Sequence, residues 1–278
     1  MIKKTIIILL IVSGLSIFSY PMISNWVHEM NQHKLIDNYE ERVSQYDDSF
    51  LKEEMRKAVE YNKSLIGGII KDPFVSGSGK AVSLSPKYLE LLNVDGVMGY
   101  IEIPKIKVKL PIYHGTSDEV LKNGAGHMEM TSLPVGGKGT HAVLAGHRAL
   151  ASASLFNDLD LLVNGDVFYI HVLNTTLAYQ VDQINTVLPN DTSNLKLSED
   201  CDLVTLVTCT PYGVNTHRLL VRGTRVPYEP EKLKTLPAPL SAKNKLVIAA
   251  ASITFLVMLA LILFTVRRRK KRQQAEVR

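Results

Sequence analysis

Leu246–Val266, LVIAAASITFLVMLALILFTV, is an apolar run without a charged side chain. A helix needs about 20 such residues to cross a hydrocarbon core, where it must satisfy its own backbone hydrogen bonds. The run therefore predicts a transmembrane helix and takes one end of the chain out of any soluble fold. Arg267, Arg268, Arg269, Lys270, Lys271 and Arg272 follow it directly and hold much of the formal charge of +5. A basic run can bind nucleic acid, but one that abuts an apolar span reads as a cytoplasmic flank. The expected partner of this tail is the membrane, and no nucleic acid.

A second apolar run, Thr5–Ile23, follows Lys3 and Lys4. It suits either a signal peptide or an uncleaved anchor. No small-x-small cleavage site stands near Ser19, where Ile17 and Phe18 precede it, and this favours the anchor. Basic residues beside both runs place both termini in the cytoplasm. The segment from about Asn25 to Asn244 then lies outside the cell, on a multi-pass membrane protein.

That exterior segment holds both cysteines, Cys201 and Cys209. An extracellular location permits a disulfide. If 201–209 is a strand, however, the two α-carbons stand roughly 26 Å apart at ~3.3 Å per residue. A disulfide needs them within about 7 Å. Cys209 is expected to be a free thiol, which outside the cell calls for an explanation.

Residues 26–66 read as helical. Val27, Met30, Leu35, Tyr39, Val43, Tyr46, Leu51, Met55 and Val59 recur mostly at three- and four-residue spacing among charges. The segment suits an arm packed on the main domain, a spacer above the membrane, or both. Gly67-Gly68 and Ser76-Gly77-Ser78-Gly79 end the pattern, with Asp72-Pro73-Phe74 in an extended piece between them. From Met98 the character becomes short and β-prone: Met98–Ile103, Val108–Tyr113, Gly139–Ala145, Val167–Val172, Thr176–Leu188, Asp202–Cys209 and Arg218–Val226. Short helical pieces fit Asp118–Asn123 and Ser154–Leu162. This pattern suggests an antiparallel barrel or sandwich of about 140 residues.

The chemistry concentrates in Thr205-Leu206-Val207-Thr208-Cys209-Thr210-Pro211-Tyr212-Gly213-Val214-Asn215-Thr216-His217-Arg218. A thiol ends an apolar run, and an arginine returns across a turn. A cysteine nucleophile needs a base or counter-charge. Arg218 stays protonated and would depress the thiol pKa or donate to an oxyanion. The histidines are His28, His33, His114, His127, His141, His147, His171 and His217. His28 and His33 lie on the arm and are expected to be solvated. His171 suits a core or a surface position. His217 precedes Arg218, so a strand points it to the opposite face. His147 follows Thr140–Gly146 at a strand-to-loop edge, where folds tend to present reactive groups. Position alone leaves several candidates open, with His147 leading. No third residue that would orient His147 is identifiable. Asp158 and Asp160 read as a solvated face of a short helix.

Thr205-Leu206-Val207-Thr208-Cys209 resembles the TLxTC signature of sortases, the cysteine transpeptidases of Gram-positive cell surfaces. His147 and Arg218 fall in the order in which that family places its histidine and arginine. The resemblance spans about residues 70–228 and is strongest to the pilus-building class C sortases. The run after Cys209, the C-terminal apolar segment and Asp72-Pro73-Phe74, similar to the class C lid motif, all carry it.

The resemblance implies a mainly β fold: an eight-stranded β-barrel with short helices, a helical arm, and membrane spans at both ends. The expected segments are an anchor or signal segment (1–24), a helical arm (25–70), a lid segment (71–86), a catalytic barrel (87–228), a linker (229–244), a transmembrane helix (245–266) and a basic cytoplasmic tail (267–278). It implies that Cys209 attacks the Thr–Gly amide of an LPxTG-like sorting signal and forms a thioester. His147 would serve as acid and base, and Arg218 would hold substrate or oxyanion. The implied acceptor is a pilin lysine, and the partners are pilins or surface proteins bearing LPxTG-like signals. This chemistry requires no metal or cofactor. As a lid, Asp72 would pair with Arg218, Phe74 would cover the thiol and Pro73 would fix the path between them. Two other readings compete: a sortase that anchors proteins to peptidoglycan, and a non-enzymatic surface scaffold or adhesin. The second leaves a free exterior thiol without a role. Asn62-Lys63-Ser64, Asn174-Thr175-Thr176 and Asn190-Asp191-Thr192 match a glycosylation sequon and read as chance matches.

Overall fold

Runs of aliphatic and β-branched residues, released by turns, build eight strands that close into a barrel. The computed structural model describes residues 2–65, 72–74, 84–150, 153–197 and 200–230. The expected C-terminal transmembrane helix and basic tail, nearly all of the linker and most of the lid segment lie outside the described residues.

The strands are β1 (Gly99–Ile103), β2 (Val108–His114), β3 (Ala125–His127), β4 (Thr140–Ala145), β5 (Val167–Val172), β6 (Thr175–Val187), β7 (Asp202–Thr210) and β8 (His217–Val226). Around the barrel they run β1-β2-β3-β4-β7-β8-β6-β5. The expected antiparallel arrangement holds for most neighbours, but β2 with β3 and β4 with β7 are parallel. The β4–β7 pairing follows because the chain makes the β5–β6 hairpin between them, then returns in the direction it left. Their C-terminal ends thus share one rim. β3, the pairing partner of both β2 and β4, was absent from the expected strands. Ala125-Gly126-His127 has neither length nor alternation to announce it.

β7 is buried on both faces from Leu203 to Cys209. Val204 and Leu206 join the main core with Leu144, Leu219 and Val221. Val207 belongs to a second, smaller cluster with Met128, Val143, Leu195 and Leu220. This two-sided burial explains why the strand reads as a nearly continuous apolar run.

The helices are α1 (Ile2–Gln45), α2 (Asp48–Ser64), α3 (Pro86–Glu90) and α4 (Asp118–Asn123). The N-terminal apolar run and the first part of the arm are one helix, with Pro21 inside it. From Leu10 onward this helix is long and apolar enough to cross a membrane. The chain divides into two units at Val27 and His28. In the first, the side chains of Leu10, Ile17 and Phe18 are exposed, as lipid contact requires. In the second, Ile36, Tyr39 and Val43 form the buried stripe of the arm, at helical spacing. Met30 and Leu35 are exposed instead. The arm breaks at Tyr46–Asp47, where Asp47 Oδ1 accepts the Phe50 N–H at 2.7 Å and caps α2. His28 and His33 are half-buried rather than solvated, and the His28 ring donates to the Lys122 carbonyl at 2.8 Å. Ser154–Leu162 forms turns and one 3-10 turn at Leu159–Leu161 rather than a helix.

Candidate active site

β7 and β8 are adjacent and antiparallel, and their register sets Cys209 directly opposite Arg218. The intervening turn is closed by Val214 and Asn215 N–H groups donating to the Pro211 carbonyl, each at 3.0 Å. His147 reaches the same rim from β4. Ala145 lies beside Val207 in the parallel pair. Gly146 N–H donates to the Val207 carbonyl at 3.0 Å, and Thr208 Oγ1 donates to the Gly146 carbonyl at 2.7 Å. Both threonines of the Thr-Leu-Val-Thr-Cys run are thus structural, since Thr205 Oγ1 bonds His141 Nε2 at 2.7 Å.

Gly146 is required for a steric reason. A Cβ there would meet the Phe156 ring at 2.6 Å, and Phe156 is fully buried. The chain therefore turns out to His147 only because this position lacks a side chain.

Asp72 and Phe74 lie on these residues. Arg218 Nε donates to Asp72 Oδ1 at 2.8 Å, and Nη2 to Oδ2 at 2.6 Å. The two side chains are 9% and 5% exposed. Arg218 Nη1 also donates to the Asn215 and His217 carbonyls. Phe74 stands 5.7 Å from the His147 ring and 5.1 Å from the Arg218 guanidinium carbon, and packs on the small cluster containing Val143, Val207 and Leu220. Pro73 between them is buried.

The electrostatics describe a quiet site. Burial pushes the Cys209 thiol up; Arg218 draws it down, and Asp72 adds to the rise. Burial pulls the His147 imidazole below its usual value, with Asp118 opposing and Lys122 reinforcing. Both groups are neutral near pH 7. Burial also works against the Arg218 charge, but the Asp72 hydrogen bond and the charges of Asp72 and, at high pH, the Cys209 thiolate hold it above its usual value. Cys209 and Cys201 are both free thiols. Among the described residues the His147 imidazole has no hydrogen-bond partner, so no third residue orients it here. Asp158 and Asp160 are both exposed, as a solvated face requires, and Asp160 also pairs with Arg148 at 2.5 Å. Arg148, adjacent to His147, escaped sequence reasoning, because its partners come from two separate loops. No group of His, Cys, Asp and Glu among the described residues is arranged to hold a metal.

A sortase domain model matches residues 101–226. Sortase A of Listeria monocytogenes is 27% identical over 244 residues, 87% of this chain and 98% of that protein. Among solved structures, Streptococcus pneumoniae sortase C is 47% identical with a TM-score of 0.65, covering 70% of this chain and 97% of that one. Streptococcus agalactiae sortase C1 is 41% identical with a TM-score of 0.67, covering 73% of this chain and 100% of that one. The chain belongs to the sortase family, enzymes that are cysteine transpeptidases, and its solved neighbours place it in class C. The non-enzymatic scaffold reading is set aside.

Proposed function

We propose that this sortase polymerises pilin subunits through a thioester on Cys209. The carrying observation is the cross-strand pairing of Cys209 with Arg218 at the rim where the β4–β7 pair delivers His147. The Cys209 thiol gives its proton to His147 as its sulfur attacks the threonine carbonyl of an LPxTG-like signal. Arg218 donates to the oxygen as negative charge develops there. The Thr–Gly C–N bond breaks, His147 passes a proton to the leaving glycine amine, and a thioester remains. A lysine amine of the next subunit then attacks the thioester carbonyl. Its proton goes to His147, the thiolate leaves, and an isopeptide bond joins the two chains. The pilin acceptor is favoured by the similarity to Streptococcus pneumoniae sortase C, a structure described in terms of pilin substrate specificity.

Asp72, Pro73 and Phe74 act as a lid over this site. In the closed form Asp72 occupies the guanidinium that an oxyanion or substrate would use, and Phe74 covers the apolar floor beside the thiol. Opening removes the Asp72 charge and admits water, so the thiol pKa falls and Arg218 is freed. Membrane spans at both ends would hold the barrel at the outer face, within reach of secreted pilins.

The test uses the full-length chain in detergent, mixed with an LPxTG-bearing pilin. Covalent ladders that vanish in Cys209→Ala support the reading. Cleavage to free acid with pilin lysine present, or transfer only to a peptidoglycan-type amine, overturns polymerisation and favours the anchoring activity.

A further inference from the structure

The β4–β7 pairing does not stop where β4 ends. After the Gly146 N–H bond to Val207 and the Thr208 hydroxyl bond to Gly146, Arg148 Nη1 donates to Thr210 Oγ1 at 3.3 Å. Side chains alternate across an extended pair. Thr208 and Thr210 thus lie on one face of β7, where they meet Gly146 and Arg148. Cys209 faces the other way, towards the side of Arg218 and His147.

Arg148 is 9% exposed, and its guanidinium is engaged on every side. Nε donates to the Asn157 carbonyl at 2.9 Å, and Nη2 pairs with Asp160 Oδ2 at 2.5 Å. Its guanidinium carbon lies over the Tyr212 ring, 5.6 Å from the centroid, and Tyr212 belongs to the turn between Cys209 and Arg218. The same loop is closed by two further bonds. Asn157 Oδ1 accepts Ala149 N–H at 2.7 Å, and the His147 carbonyl accepts Phe156 N–H at 3.1 Å. One guanidinium therefore joins the segment that carries His147, the 157–160 turn, the β7 terminus at Thr210 and the following turn at Tyr212.

A guanidinium stays charged at any working pH, and burying it is costly unless it is fully paired. Lysine could not replace it, because only the planar fork reaches acceptors in several directions at once. We propose that Arg148 is a positioning residue for transpeptidation: from the far face of the strand pair it holds the His147 main chain in register with Cys209. This rests on the reading that Cys209 and His147 carry the reaction. A displacement of about 1 Å between reacting groups costs on the order of a hundredfold in rate.

The experiment measures transpeptidation of an LPxTG-like peptide to a primary amine by the full-length enzyme, in Arg148→Met, Arg148→Lys and Thr210→Val, well below the melting temperature of each. The expected result is a fall in kcat of about tenfold or more for Arg148→Met and a smaller loss of the same sign for Thr210→Val. KM should stay within about twofold. Arg148→Lys should recover only part of the rate. The double variant should be no slower than Arg148→Met alone, because both substitutions break one contact. The pH midpoint of Cys209 alkylation should not move, since Arg148 meets the opposite face of β7. Unchanged kcat in folded variants, a loss confined to KM, or a shifted alkylation midpoint would overturn the proposal. If Arg148→Met does not fold, Thr210→Val decides, because it removes one hydroxyl and no charge. His147→Ala and Cys209→Ala in the same assay separate the two claims. Activity in either sinks the catalytic reading itself, whereas inactive controls beside fully active Arg148 and Thr210 variants sink only this one.

Discussion

Asp72 grips Arg218 at both carboxylate oxygens, at 2.8 and 2.6 Å, across 146 residues of chain. The bidentate geometry is the strongest form of this ion pair, and the pair is largely shielded from water. It pairs the cation that stands opposite Cys209 in the β7–β8 register, and the proposed lid would restrain the thiol through this pair.

Asp72→Ala should therefore activate the thiol. Asp72 raises the Cys209 pKa, so its removal shifts the alkylation midpoint to lower pH. Near neutrality the iodoacetamide rate should rise, because a lower pKa leaves more of the thiol as thiolate. An unchanged midpoint would mean that Asp72 does not control the site.

Phe74→Ala should accelerate alkylation by a different route. Phe74 contributes to covering the site and bears on both His147 and Arg218. Its loss should raise the rate for bulky maleimides more than for iodoacetamide, because access is what changes. Equal rates in wild type and variant would show that the ring does not guard the thiol.

Arg218→Lys should abolish most transfer while leaving the fold intact. A lysine keeps the charge but not the fork. The expected loss in kcat is on the order of a hundredfold, as for removal of one oxyanion donor. Steady-state kinetics with an LPxTG-like peptide measures it.

Gly146→Ala should destabilise the barrel and slow the enzyme together. The added Cβ would stand 2.6 Å from the buried Phe156 ring. Overpacking of this kind costs about 1–3 kcal/mol, readable by thermal melting. The shift also moves His147, so kcat should fall at temperatures where the variant remains folded.

Acid stability should depend on His127. It is fully buried, donates Nε2–H to the Ser132 carbonyl, and faces the Tyr88 hydroxyl through Nδ1. Burial lowers its pKa from 6.5 to about 4. Between those values the unfolded chain binds a proton that the folded one does not, so stability falls as pH drops from 6.5 towards 4. His127→Gln, although less stable at neutral pH, should lose less stability over that window. Denaturant melts at several pH values test the slope.

Much of the barrel was legible from local pattern. Val167–Val172 is a run of β-branched and aromatic residues that forms a mostly buried strand, and Asp118–Asn123 begins after a serine that caps it. The buried β7 announced itself as a nearly continuous apolar run. Ala125–His127 did not, because three residues carry no period and become a strand only by lying between β2 and β4. The break at Asp47 was equally silent, since its cap is one side chain within an otherwise helical rhythm. At the site, Cys209 and Arg218 were readable because a short turn joins them.

What the sequence determined by itself is therefore local: an apolar N-terminal run, the strand-forming stretches, a free thiol at a strand end and an arginine beyond the next turn. Propensity, spacing and charge act between near neighbours, and these features need nothing more. Tertiary structure alone decided that β4 and β7 run parallel, bringing His147 to the rim of Cys209, that Asp72 closes on Arg218, and that Arg148 braces the site from behind. Each of these joins residues far apart in the chain. Their contact is set by the closure of the barrel, where backbone pairing and burial outweigh any local preference.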